Sequence, residues 1–169
     1  SRNPKLEISV VADKPNPFLS AEDIAALEET EVVHQHNNNA VRHTRSLTDL
    51  LGLEDIGVHM VRVESGHDST TFHSHHYDEE FLYVISGRGI ARLDEDNKEV
   101  GPGDFMAFGK HSVAHSLTNP FEEDLVYLMG GNRNEIDVCD YPDLKRRQYR
   151  LSGDREFVDM EQITRVPPR

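Results

Sequence analysis

The sequence predicts an all-β sandwich or barrel, and three observations carry that expectation. From Ile56 onward, short runs rich in Val, Ile, Leu, Phe and Tyr recur at intervals of about ten residues. Turn residues punctuate them, as at Gly87 to Gly89, Asp94 to Asn97 and Gly101 to Asp104. The chain has 169 residues, of which 36% are apolar and none is Trp, which suits one domain with a modest core.

Taken in order, the first forty residues are polar and irregular. Two prolines lie between Asp13 and Phe18. Ser20, with an acid three residues on at Asp23, reads as an N-cap, so a short helix is expected over Ala21 to Glu29. His34 to Asn39 reads as a polar loop. Arg45 to Leu53 reads as one or two helical turns that plug one end of the core. The strand runs follow at Ile56–Glu64, Thr70–His75, Glu79–Ser86, Gly89–Leu93, Lys98–Val100, Phe105–Phe108, Val113–Thr118 and Asp124–Met129. Beyond Gly131 the chain is polar again, with weaker strand signals at Glu135–Val138 and Gln148–Leu151. The expected organisation is one domain: an N-terminal extension with short helices (1–55), a barrel (56–131) and a C-terminal extension (132–169).

Charge narrows the function classes. Lys and Arg number 18 against 31 Asp and Glu, a net charge of −13. A sequence-independent nucleic-acid binder needs a basic surface to displace counterions, and an anionic membrane face asks the same. Neither partner is expected. No apolar run approaches the ~20 residues that span a bilayer. Ser1 to Val10 lacks the basic-then-apolar pattern of a leader, and Cys139 is the only cysteine, so a reducing cytoplasm is the expected home. Lys145 to Arg150 is basic, and on so acidic a chain it reads as a solvated face or a set of salt-bridge partners.

Ten histidines stand out, and spacing decides which of them carry chemistry. Residues two apart on a strand share a face, so His73 and His75 present their imidazoles together. Glu80 follows after four residues and returns beside them if the two strands pair as a hairpin. A third imidazole is available from His115, whose face Val113 and Leu117 share. Three imidazoles and a carboxylate form a borderline ligand set for a divalent transition metal ion such as Fe, Mn, Ni, Cu or Zn. Bound octahedrally, such an ion keeps two positions open for a substrate oxygen, water or dioxygen.

Among the remaining candidates, Thr71 and Leu117 would flank the ion, Asn119 would close a turn, and Phe81 and Tyr83 read as core. His59 and Arg62 fall on opposite faces of one strand, so at most one faces the pocket; an Arg62 guanidinium there would select a carboxylate substrate. Cys139 has no His or acid at a telling spacing. His111, Glu79 and Tyr77 lie near the ligand residues, but no general base is unambiguous, so the catalytic residue stays unassigned.

Gly66 to Gly87 resembles the first motif of the cupin superfamily, G-x5-H-x-H-x3,4-E-x6-G, with six residues rather than five before the first histidine. His73, His75 and Glu80 take the ligand positions, and only Glu80 leaves six residues before Gly87. Gly103 to Asn119 is similar to the second motif, G-x5-P-x-G-x2-H-x3-N, but Gly109 replaces the proline, His111 the glycine, and one residue is added. His115 keeps the spacing to Asn119 and is the favoured third imidazole, with His111 as the alternative. The resemblance implies a jelly-roll β-barrel holding one divalent metal ion (Fe, Mn, Ni or Zn), a small-molecule ligand and a homodimer. It extends over Thr44 to Arg147 to a group of small single-domain cupins that are mostly without an assigned reaction. Two function classes follow: a metal-dependent enzyme on a small oxygenated metabolite (dioxygenase, isomerase, decarboxylase or lyase), or a non-catalytic sugar- or metabolite-binding module. A metal-stabilised structural or storage role is a third.

Overall fold

Leu82 and Val84 point inward from their strand while Tyr83 and Ile85 point to solvent, and this period of two organises the molecule. The computed structural model describes residues 16–168. The segment read for a leader pattern, and the Asp13–Pro15 part of the proline stretch, lie outside the described residues. Among the described residues no helix is long and apolar enough to cross a membrane.

The first element of the described residues is the helix α1 (Ala21–Ala26), whose Ser20 and Asp23 form the expected capping box: Asp23 N–H donates to Ser20 Oγ, and Ser20 N–H to the Asp23 carboxylate. It stops three residues before Glu29. Leu27 is already extended and its carbonyl accepts from Arg45, while Glu29 is drawn to Arg62 and Arg45. Strands β1 (Thr30–His34) and β2 (Asn37–Ser46) follow, so the expected loop over His34 to Asn39 is instead the turn and flanks of a hairpin. A single helical turn at Asp49–Leu51 ends at Gly52, and buried Thr48 beside it accepts from the backbone N–H of Val58. Next come β3 (Ile56–Val63), β4 (Ser74–His75), β5 (Glu80–Ser86), β6 (Gly89–Leu93), β7 (Asp96–Val100), β8 (Phe105–Phe108), β9 (His115–Thr118) and β10 (Leu125–Asn132). The C-terminal part adds β11 (Ile136–Tyr141), β12 (Arg146–Leu151) and β13 (Asp154–Asp159).

These strands form antiparallel sheets of order β1-β2-β3-β10-β5-β8, β13-β12-β11-β4 and β7-β6-β9. The core lies between the first and third. Val61, Val63, Leu82, Val84, Phe108, Leu125 and Tyr127 face Ala91, Val100 and Leu117 across it. Burying such a side chain stabilises by roughly 1.5–3 kcal/mol, which fixes the register of every strand that carries one. Gly87 ends β5 with φ +73, and a Cβ there would collide with the Asp124 carbonyl, so only glycine fits.

Two expectations change. β4 pairs with β11 rather than with β5, so Glu80 does not come back through a hairpin. Tyr83 is 42% exposed, on the outer face with Ile85 and the Phe81–Phe105 ring pair, because the inward row of β5 is Glu80, Leu82 and Val84. Of the basic Lys145–Arg150 segment, Lys145 pairs with Glu161, Arg146 with Asp159, Arg147 with Asp140 and Arg150 with Asp78.

Candidate metal centre

The inward row of β5 begins with Glu80 and that of β9 begins with His115, one position along from Leu82 and Leu117 respectively. The ligand candidates therefore continue the core rows where apolar residues stop. Gly131 pairs with Glu80, and a Cβ on it would collide with the Glu79 carbonyl, so the close approach of β10 to β5 at this point needs glycine. His73 is held against His115 by reciprocal backbone hydrogen bonds of 3.1 and 2.8 Å. His75 is fixed by β4 and its pairing with Cys139.

The four side chains meet at one point. Nε2 of His73, His75 and His115 lies 3.8, 3.5 and 3.3 Å from the Glu80 carboxylate oxygens. The rings of His73 and His115 are 4.6 Å apart, and those of His73 and His75 4.9 Å. Phe108 stacks flat on His115 at 3.5 Å and holds its ring plane. His111 has φ +58 in the turn, and its ring lies against His76 and Tyr77 instead.

Tautomers follow from the partners. His73 Nδ1 lies 2.7 Å from the Thr71 carbonyl, which only accepts, so Nδ1 carries the proton and Nε2 keeps its lone pair. His75 Nδ1 likewise donates to the Asp137 carboxylate at 2.6 Å. Burial alone would push the Glu80 carboxyl up, but His115 and His73 hold it well below the usual carboxylate range. Burial alone would lower His75, yet the hydrogen bond to Asp137 and the charge of Glu80 raise it. Nε2 of His73 and His75 thus faces the Glu80 carboxylate with Nδ1 already committed to Thr71 and Asp137, so the approach is favourable only with a proton or a metal cation shared between them. The donor set fits a divalent transition metal ion.

Sequence reasoning missed two neighbours. Asp137 is 1% exposed and accepts from His75 and from the backbone N–H groups of Tyr77 and Asp78. Cys139 brings its sulfur within 4.8 Å of His73 and His75 ring nitrogens, although burial pushes its thiol well up and keeps it protonated. Both arrive through the β11–β4 register, for which the sequence carries no local signal. Arg62 points away from the cavity and pairs with Glu29, Glu64 and Asp124, while His59 lines it. Leu117 lines the cavity too, Thr71 holds His73 and His34, and Asn119 closes a turn through Val63, Phe121 and Glu123. The cavity above the cluster has a volume of about 410 Å³.

Fold and cluster together define a β-barrel with an internal imidazole–carboxylate centre. Residues 59–131 match the cupin domain family. The chain is similar, at 40% identity and a TM-score of 0.88, to an Acidithiobacillus ferrooxidans protein named a "putative sugar phosphate isomerase", over 89% of this chain and 97% of that one. A Silicibacter pomeroyi protein named a sugar phosphate isomerase from a cupin superfamily superposes with a TM-score of 0.75 at 24% identity, again over 89% and 97%. No curated protein matches the sequence. This chain belongs to the cupin superfamily.

Proposed function

We propose that the protein is a metal-dependent isomerase of a phosphorylated sugar, with His73, His75, Glu80 and His115 as the ligands of one divalent ion. The observation that carries this reading is the convergence of three imidazole Nε2 atoms on the Glu80 carboxylate at the floor of the cavity. The name borne by the 40%-identical relative directs the choice among the chemistries this ligand set permits. When bound, a divalent ion here supplies Lewis acidity toward carbonyl and hydroxyl oxygens. Asp137 and Thr71 fix the ring orientations of His75 and His73, and Phe108 and the core rows below exclude water from that side. His59 is a further imidazole on the cavity wall; burial lowers it, so it is a neutral group able to pass a proton between adjacent carbons.

The expected homodimer belongs to the same proposal. The outer face of β5 and edge strand β8, with Tyr83, Ile85 and Phe105 exposed, is the strip a second copy would cover, and light scattering reads the mass. The activity test is proton NMR in D2O of metal-loaded protein with a panel of aldose and ketose phosphates. Interconversion or deuterium uptake beside the carbonyl, lost in Glu80→Gln, supports the isomerase. Stoichiometric metal with neither change on any sugar phosphate would leave a non-catalytic binding barrel as the better reading.

A further inference from the structure

On this acidic chain most arginines of the described residues are ion-paired, including two on the cavity wall: Arg133 to Asp49 at 2.5 Å and Arg150 to Asp78 at 2.7 Å. Arg42 and Arg155 line the same cavity, and neither meets a carboxylate among the described residues. Arg42 reaches only the Met129 sulfur, at 3.8 Å. Arg155 stands directly across the β12–β13 ladder from Arg150, whose charge is already met by Asp78, so the like-charge neighbour offers Arg155 no ion pair. A guanidinium without a carboxylate partner among the described residues, beside a cavity, is free to meet an anionic ligand.

Both arginines belong to one region of the wall, where the β1–β2 hairpin meets β12 and β13. Arg42 pairs with Val32 on the ladder, and Gln35 Nε2 donates to Gln148 Oε1 at 3.1 Å. The His36 and Phe157 rings meet edge-on at 4.7 Å, Phe157 lying two residues along β13 from Arg155. His34 is held down to about 4, by burial first and then by the charges of His73, His36, Arg42 and Arg155. Its Nδ1 accepts from the His36 backbone N–H at 3.2 Å, which leaves the ring proton on Nε2 and makes that atom a donor. The His34 ring packs edge-on against Tyr141 at 5.7 Å, and Tyr141 lies 6.1 Å from the His73 ring. Tyr141 and Thr71, whose hydroxyl meets His34 Nδ1 at 2.9 Å and whose carbonyl meets His73 Nδ1 at 2.7 Å, link this region to the imidazole–carboxylate cluster.

We propose that Arg42 and Arg155, with His34 beside them, form an anion subsite that holds the phosphoryl group of a sugar phosphate while its carbonyl end lies at His73, His75, Glu80 and His115. The inference rests on the isomerase reading for the identity of the ligand, and it assigns the residues that select it. Planar guanidinium groups match phosphate oxygens in pairs, and binding energy spent on this remote group orients the reacting end.

The test is calorimetric titration of metal-loaded protein with inorganic phosphate and with ribose 5-phosphate, ribose serving as the uncharged control. Wild type is compared with Arg155→Ala, Arg42→Gln and Arg133→Ala, with metal content and Tm recorded for each. Affinity for both phosphates should fall about tenfold in each of the first two variants and stay unchanged in Arg133→Ala, with metal content constant. No phosphate binding by wild type, unchanged affinity in Arg155→Ala, or an equal fall in Arg133→Ala would each overturn the subsite. Arg155 is exposed, so its variant reads the proposal even if Arg42→Gln fails to fold. Arginine-dependent phosphate binding by a chain that holds no metal would sink the isomerase alone, whereas arginine-independent binding beside an intact metal site would sink the subsite alone.

Discussion

Asp137→Asn separates a carboxylate that merely fills space from one that sets the His75 tautomer. In the native arrangement Asp137 Oδ1 accepts from the backbone N–H groups of Tyr77 and Asp78, at 3.0 and 3.1 Å, and Oδ2 accepts from His75 Nδ1 at 2.6 Å. An asparagine keeps Oδ1 on the two backbone donors, which turns its amide nitrogen toward His75. Donor then faces donor. His75 must move its proton to Nε2, where it occupies the lone pair offered toward Glu80, or else swing away. The lost hydrogen bond is charge-assisted and buried, worth about 1.5–3 kcal/mol, and such outer partners change metal affinity by about 10–100-fold. The assay is competition of metal-free protein against a chromophoric chelator for Zn2+. Asp140→Asn is the control, since Asp140 serves His76 and Arg147 instead. Wild-type affinity in a folded Asp137→Asn protein, or an equal loss in Asp140→Asn, would refute the reasoning.

The remaining predictions concern the ligands, one titrating imidazole and one glycine. His73→Ala and His115→Ala should each lose most of the metal by elemental analysis, while Glu79→Ala, an exposed side chain one residue off the inward row, should keep it. His34 is neutral when folded, with a pKa lowered from 6.5 to about 4, so the folded state binds fewer protons than the unfolded one. Its contribution is therefore complete above about 6.5 and is lost as pH falls toward about 4. Urea unfolding of metal-free wild type should lose roughly 1 kcal/mol more than His34→Gln across that window, a figure reduced for partial exposure; parallel curves would refute it. Gly87→Ala forces a Cβ onto the Asp124 carbonyl at positive φ and should cost about 2 kcal/mol or more, read as a lower Tm.

Strands that carry core residues were legible because burial of every second side chain leaves a visible pattern. β3, β5, β6, β8 and β10 each hold a member of the core and begin or end within three residues of the expected runs. The hairpin of β1 and β2 left no such trace. Of Asn37–Ser46 only Ala40 is buried, so the segment is held by ladder hydrogen bonds that any polar sequence can make. β13 has the same character: none of its residues is fully buried, and among the described residues β12 alone pairs with it. In the Thr70–His75 run, apolar Phe72 lies between polar neighbours, and most of the run is backbone routed past His115, leaving a two-residue strand.

The candidate site divides along the same line. Glu80 and His115 stand at the ends of apolar rows, and His73 and His75 flank a single residue, so local spacing brought all four into view. Asp137 and Cys139 reach His75 and His73 only through the pairing of β11 with β4, a contact across more than sixty positions that depends on the finished fold. Arg42 and Arg155 are further removed, on the polar strands β2 and β13. Residues that hold a cation must converge on one point, and here β5, β9, β4 and the bridge at His73 bring them together from three sheets. Residues that meet the far end of a ligand need only line the cavity, and any strand at its mouth can supply them. In this chain those strands lie outside the 59–131 span that matches the cupin domain. Under the proposed reading the barrel determines that an ion is held, and the flanking strands determine which ligand reaches it, so variation in the extensions would change substrate without touching the four ligands.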